Sequence, residues 1–328
     1  MNALIFLGLI TLIIYGILVD ATFFKIYIPL VIVYWVVSTV LFGRRDSVGK
    51  RRKITIASWA DPQDPSSYMP VEYDVTDLVE YINKENKKEG SKAKLTMTYA
   101  VTKAMGIGFS LAADNIGRIA MGHFRSMKQI DIALLADVKG GKDLVPVTIK
   151  TPHQKSLEDI ALIVKEKASR AKSGKDDTHN KNFALADFVP SFILGPIISV
   201  GSYLALNLGW DVPIVGAKGD QYPPIIITNI GSFGLEKGFA PLPPMATAIC
   251  SCMGAVKDKP WVVNGEIEVR KIMTIVHTMD HRAGDAALVV KPFKVIQKLL
   301  EDPSLLESVK YDGDKILNPE ILDLKKNK

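Results

Sequence analysis

The sequence predicts a mixed α/β (α+β) sandwich domain carried behind an apolar N-terminal segment. Three observations lead there. β-rich runs are mixed with amphipathic helical runs from about residue 70 to residue 301, the pattern of strands and helices packed in layers. The apolar residues are unevenly spread, with two charge-free stretches before residue 43. The 328 residues, 48% apolar and 23% charged, suffice for one large core or two modest ones and exclude a disordered or fibrous chain. No internal repeat is evident.

Residues 3–19 and 26–42 carry no charge, and each run would make a helix of roughly 26 Å against a hydrocarbon core of roughly 30 Å. The first run lacks the basic start of a signal peptide, and a second follows across the short link "DATFFK", so a transmembrane helical hairpin is expected over 1–43. Pro29 sits near the start of the second helix, where it is tolerated. "GRRDSVGKRRK" (43–53) holds six Lys/Arg and one Asp, which places everything after it on the cytoplasmic side. The net charge of +6 is largely this cluster, and aromatic residues do not interleave it, so a nucleic-acid partner is not expected.

A strand and a Pro/Asp/Ser linker occupy 54–70, completing a basic juxtamembrane segment and linker over 44–69. "VTDLVEYINKENKKEG" has helical spacing, with Thr76 or Asp74 as cap and Gly90 as stop. A second helix, 96–114, is apolar on more than one face and is expected to be buried, with Gly106 and Gly108 allowing close packing. "QIDIALLADV" (129–138) and "LVPVTIK" (144–150) form a hairpin or two strands of one sheet. "SLEDIALIVKEKASRAK" (156–172) is an amphipathic helix capped by Ser156. A polar loop holds the solvated His179, and an apolar insertion at 183–210 forms a helical hairpin that lines a pocket or dips into the membrane surface. Strands are expected at 224–231, 246–256 and 266–281, and a last helix at 286–301. The folded domain thus covers 70–310 and leaves a tail at 311–328. Cys250 and Cys252 share one strand face, read as small core residues, and two cysteines alone complete no structural zinc site.

The chemistry concentrates in "TIVHTMDHRAGDAA" (274–287). His277, His281 and Asp285 recur every four residues, a spacing that would gather metal ligands on a helix. The β-branched "IMTIVHT" instead puts His277 on a strand as a packed residue and His281 after it, leaving a lone base and no metal.

"DHRAGDAA" resembles the DHRxxDG signature of dihydrolipoamide acyltransferases, the catalytic cores of 2-oxo acid dehydrogenase complexes, which share the chloramphenicol acetyltransferase fold. "TNIGSFGLEKGFAPLPPMATAICSCMGAV" and "QIDIALLADVKGGKDLVPVTIKTPHQKSLEDIA" resemble two further blocks of that family, in the family's order. The resemblance implies a two-layer sandwich and a homotrimer with active sites between subunits. It implies His281 as general base, Thr228 as oxyanion donor and Asp285 as holder of the loop, with Asp280, Arg282, Asn229 and Gly231 as structural support. The implied substrate is a coenzyme A thioester, or a lipoyl thioester presented in trans, with a thiol or hydroxyl acceptor. Ala286 stands where the signature has its final glycine, and the apolar hairpin stands where lipoyl and subunit-binding domains would precede the core. Partners expected on this reading are the lipid bilayer and acyl-CoA. The alternative is a non-catalytic trimeric membrane scaffold that keeps the fold.

Overall fold

The computed structural model describes residues 14, 16, 23–38, 66–90, 93–126, 129–137, 144–172, 199–212, 223–243, 247–313 and 315–322. Near the N-terminus lies α1 (Phe23–Ser38), 16 residues long, with Lys25 near its start and exposed apolar residues from Leu30 to Val37. Among the described residues no helix is long and apolar enough to cross a membrane. The expected span over 26–42 is helical as far as residue 38, and residues 39–42 lie outside the described residues. The expected first span, 3–19, lies outside the described residues apart from 14 and 16, as do the basic segment 43–53 and the polar loop with His179.

The domain is built on a six-stranded mixed sheet in the order β1-β8-β7-β6-β4-β5. Its strands are β1 (Ser66–Asp74), β4 (Ile132–Asp137), β5 (Leu144–Ile149), β6 (Ile225–Asn229), β7 (Ile249–Val263) and β8 (Glu266–Asp280). β6 runs parallel to both β4 and β7, and the other pairs are antiparallel. Both rim strands carry a proline, Pro70 in β1 and Pro146 in β5, the position where a missing N–H costs no ladder bond. β7 and β8 form one long hairpin. Its turn residues Asn264 and Gly265 both have positive φ (51° and 89°), the backbone of a tight two-residue turn matched to strand twist. A smaller hairpin, β2 (Gly117–Ala120) and β3 (His123–Ser126), turns in the same way at Met121 and Gly122.

Alternation along the strands sends Ile225 and Ile227, Ile249 and Met253, and Met273, Ile275 and Met279 to one face, where they join one core with the helices. Those helices are α2 (Thr76–Glu85), α3 (Met97–Ser110), α4 (Leu157–Lys172) and α5 (Ala286–Glu301). Each fully buried Ile or Leu in this layer contributes roughly 1.5–3 kcal/mol. The α3 glycines serve close packing. A Cβ on Gly106 would lie 2.8 Å from Pro152 Cγ, and one on Gly108 would lie 2.7 Å from Ile296 Cγ1 of α5. Ser156 and Asp159 cap α4 reciprocally, with Asp159 N donating to Ser156 Oγ at 3.0 Å. Asp74 accepts from Thr76 N at 3.0 Å just before α2.

On the opposite face Ala133, Ile226 and Cys250 pack with Ala240 and Leu242 of the 231–242 loop. Thr278 Oγ1 donates to Ala240 O at 2.7 Å and ties that loop to the sheet. The result is two layers, helices on one face and a loop on the other. After residue 310, where a tail was expected, β9 (Tyr311–Asp312) and β10 (Lys315–Ile316) pair, and Leu322 reaches the core.

Candidate active site

β8 ends at Asp280, and His281 heads the turn that leads into α5. The turn is held from within. Asp280 Oδ1 accepts from Arg282 N at 2.9 Å and Arg282 Nε at 3.1 Å, while Oδ2 accepts from Arg282 NH2 at 3.0 Å. A buried carboxylate clamped by a guanidinium fork in this way fixes orientation strongly. Asp280 O also accepts from Ala283 N at 2.9 Å and Gly284 N at 3.2 Å. Asp285 is the N-cap of α5 with extended backbone, and Ala286 opens the helix, a position alanine suits as well as any residue. The replacement of the signature's glycine therefore leaves this turn intact.

His281 Nδ1 stands 3.7 Å from Asp285 Oδ1, and the two side chains are 41% and 40% exposed. That separation is an ion pair once the imidazole is protonated and too long for a hydrogen bond. Nδ1 itself is shielded from solvent, so the exposed part of the ring lies elsewhere.

Thr228 sits near the end of β6, half-buried, on the face away from the helices. The strand end is pinned behind it. Asn229 Nδ2 donates to Thr98 Oγ1 at 2.9 Å, and Ser232 N donates to Asn229 Oδ1 at 3.2 Å. A Cβ on Gly231 would lie 2.5 Å from Gly254 O, so the turn after β6 presses against β7 backbone. Thr98, at the start of α3, is a support that sequence reasoning did not single out, and no motif around it would have revealed it.

The structure does not bring His281 and Thr228 together within one chain. Thr228 is level with Cys252 of β7, and Cys252 is level with Val276 of β8. His281 lies five residues past Val276. At roughly 3.3 Å per residue along a strand and roughly 4.8 Å between strands, the two residues are on the order of 19 Å apart.

His277 is fully buried beneath the helices. Ser251 Oγ lies 2.8 Å from its Nδ1 and Tyr73 Oη 3.0 Å from its Nε2, so both ring nitrogens have partners. Its ring also stacks near Phe293, with centroids 4.5 Å apart. Burial pushes its pKa down to about 3. The packed role expected for it holds, and it shares no helical face with His281. Among the described residues no group of three or more His, Cys, Asp or Glu is placed to hold a metal. Cys250 and Cys252 are free and buried, and burial pushes the Cys250 thiol up to about 11, far from a reactive thiolate.

The profile of the family "2-oxoacid dehydrogenases acyltransferase (catalytic domain)" matches residues 48–188 and 223–307. The succinyltransferase component of the Escherichia coli 2-oxoglutarate dehydrogenase complex is 39% identical over 80 residues, 24% of this chain and 20% of that protein. The acetyltransferase component of the Zymomonas mobilis pyruvate dehydrogenase complex is 22% identical over 241 residues, 73% of this chain and 45% of that protein. The chain thus spans less than half the length of these relatives. Among solved structures, a probable dihydrolipoamide acetyltransferase from Listeria monocytogenes superposes with a TM-score of 0.55 at 18% identity, covering 79% of this chain and 94% of that one. The Azotobacter vinelandii dihydrolipoamide acetyltransferase gives 0.55 at 18% identity over 77% and 87%. These likenesses are of fold, and they match the two-layer arrangement described above.

Proposed function

This chain belongs to the 2-oxoacid dehydrogenase acyltransferase catalytic-domain family, and from that premise we propose that it is a membrane-anchored acyltransferase whose sites form between subunits of a homotrimer. It moves an acyl group between a CoA-type or lipoyl thioester and a thiol or hydroxyl acceptor. The observation that carries this reading is the placement of His281 and Thr228, each held rigidly yet far apart in one chain. A base and an oxyanion donor must both lie about 3 Å from one reacting centre, so a neighbouring subunit has to complete each pair.

The acceptor's S–H or O–H proton passes to His281 Nε2 as its sulfur or oxygen bonds to the thioester carbonyl carbon. The carbonyl oxygen takes up the charge, and the Thr228 hydroxyl donates to it. Collapse breaks the carbon–sulfur bond, and the departing thiolate recovers the proton from His281. With Nδ1 shielded and turned toward Asp285, Nε2 is the ring nitrogen left for this task. Asp285 holds the loop beside the imidazole, 3.7 Å from Nδ1, without itself moving a proton. In the Azotobacter vinelandii protein a serine, a histidine and an asparagine were studied for their role in the catalytic mechanism. Thr228, His281 and Asp285 are residues of similar type, and the last two keep the four-residue spacing of that histidine and asparagine.

Membrane anchoring is supported by α1, where Leu30 through Tyr34 are all exposed. Five successive residues cover more than a full turn, so no side of the helix is protected by the rest of the chain. An all-round apolar helix belongs in an apolar solvent. The charge-free run 3–19 and the basic run 43–53 support a hairpin with the catalytic domain on the cytoplasmic side.

The test is thioester consumption by the purified full chain with a panel of acyl-CoAs and dihydrolipoamide, with and without chelator, beside His281→Ala. Activity that resists chelator and falls by at least 10²-fold in the variant is expected, the scale of general-base catalysis. Chelator-sensitive turnover, or full activity in His281→Ala, overturns the lone-base mechanism. No turnover across the panel favours the scaffold.

A further inference from the structure

We propose that residues 199–212 and α1 form one lipid-contacting platform, which holds the β2–β3 hairpin of the catalytic domain against the membrane surface. The proposal rests on the membrane reading above and adds a second contact that α1 alone does not supply.

Besides the residues after 307, two stretches of the chain fall outside the family match, the residues before 48 and those from 189 to 222. The described parts of these two stretches meet. Tyr34 Oη of α1 lies 3.4 Å from Tyr203 Oη. The second stretch is helical from residue 199 and passes into a π-helical turn at Leu204–Leu208. Gly209 then ends it in left-handed conformation (φ 71°), with its N–H on Ala205 O at 3.1 Å. It has little use for its apolar surface within the domain. Val200 is 61% exposed, Trp210 60% and Tyr203 36%. Tyr203, beside the middle of the 26–42 run, lies in the hydrocarbon with its hydroxyl paired to that of Tyr34. Trp210, seven residues on, is of the type that settles at headgroup level, ring in the hydrocarbon boundary and polar atom toward water.

The segment is also tied to the catalytic domain. Asn207 Oδ1 accepts from Met121 N at 2.8 Å, and Met121 is the left-handed corner of the β2–β3 turn. Asn207 Nδ2 donates back to Tyr203 O at 3.0 Å, which holds the amide in that orientation. One polar side chain therefore links the exposed aromatic residues to the hairpin. The occupant of the platform is a lipid surface rather than another protein. Its neighbour α1 exposes apolar residues on every side from Leu30 to Tyr34, and six Lys/Arg at 43–53 follow α1 where anionic headgroups would lie.

The test uses the full chain reconstituted in phosphatidylcholine/phosphatidylglycerol vesicles, with and without brominated acyl chains, comparing wild type with Trp210→Phe. Position 210 is exposed, so the substitution leaves the fold alone. Co-flotation with vesicles and quenching of the tryptophans other than Trp210 report anchoring in both proteins. The platform predicts an additional quenched component in wild type that Trp210→Phe lacks. Equal quenching in the two proteins, with co-flotation intact, overturns the platform and leaves anchoring standing. Protection of Trp210 from aqueous iodide without quenching by bromolipid would assign the surface to a second copy of the chain instead. Failure to co-float would remove the membrane reading itself, and the platform with it.

Discussion

His277 and His281 stand four residues apart and meet opposite fates because one points under the helices and the other follows the end of its strand. The buried ring makes stability depend on pH. Its folded pKa of about 3 lies below the unfolded value of roughly 6.5, so between these values only the unfolded chain takes up the proton. The full contribution is present above pH 6.5 and is lost as pH falls toward 3, by about 1.4 kcal/mol per unit. Urea unfolding at pH 7 and pH 5 should show wild type losing about 2 kcal/mol more than His277→Gln across that interval. An equal loss in the two proteins would mean that another group sets the slope. That His277 packs in the core was legible in its β-branched neighbours. Its partners Tyr73 and Ser251 were not, because they come from strands 204 and 26 positions away.

Among the elements, β7 carries the feature that shapes the loop behind Thr228. Its register with β8 shifts between Met253 and Val256, which frees Ala255 N to donate to Leu235 O at 2.8 Å. Gly254 sits in that irregularity, and a Cβ there would lie 1.7 Å from Glu236 O. No rotamer relieves a backbone clash. Gly254→Ala should cost at least about 3 kcal/mol, the upper end for overpacking, read as a shift in the urea midpoint. Gly284→Ala, where the nearest atom would be 3.6 Å away, should stay within about 0.5 kcal/mol. A mild effect at Gly254 would mean that the 231–242 loop can move aside. Five of the sheet's six strands lay in runs of the right type, and α5 kept its expected bounds, whereas β1 (Ser66–Asp74) runs through residues expected as a Pro/Asp/Ser linker. β7 runs to Val263, well past the expected 256, although Asn264-Gly265 was there to mark the turn. β2 and β3 were missed because their turn starts with Met121, a residue that rarely takes positive φ.

At the scale of the molecule, the order β8-β7-β6 separates His281 from Thr228 within one chain, which is why the proposed site needs a second subunit. Sites between subunits were implied by the family resemblance alone; sequence spacing carries no information on strand order, so the distance between His281 and Thr228 within one chain was not legible from the residues. His281→Ala and Thr228→Ala chains should each be nearly inactive alone and recover part of wild-type activity when co-assembled. Thr228→Ala alone should lose about 2.7–4 kcal/mol of transition-state stabilisation. Verified mixed assemblies that stay inactive would place both groups in one subunit's site and contradict the strand alignment.

The prolines at the two rims have a consequence for how copies of this chain behave when crowded. Pro70 and Pro146 each remove one outward N–H from a rim strand, so neither rim offers an unbroken row of donors and acceptors to a stranger. A sheet whose middle reads Ile-Ile-Ile-Thr and Ile-Met-Thr-Ile-Val is the kind of segment that seeds cross-β aggregation when its edges are bare. Here contact between copies is steered away from strand addition and toward faces and loops, the surfaces on which His281 and Thr228 lie.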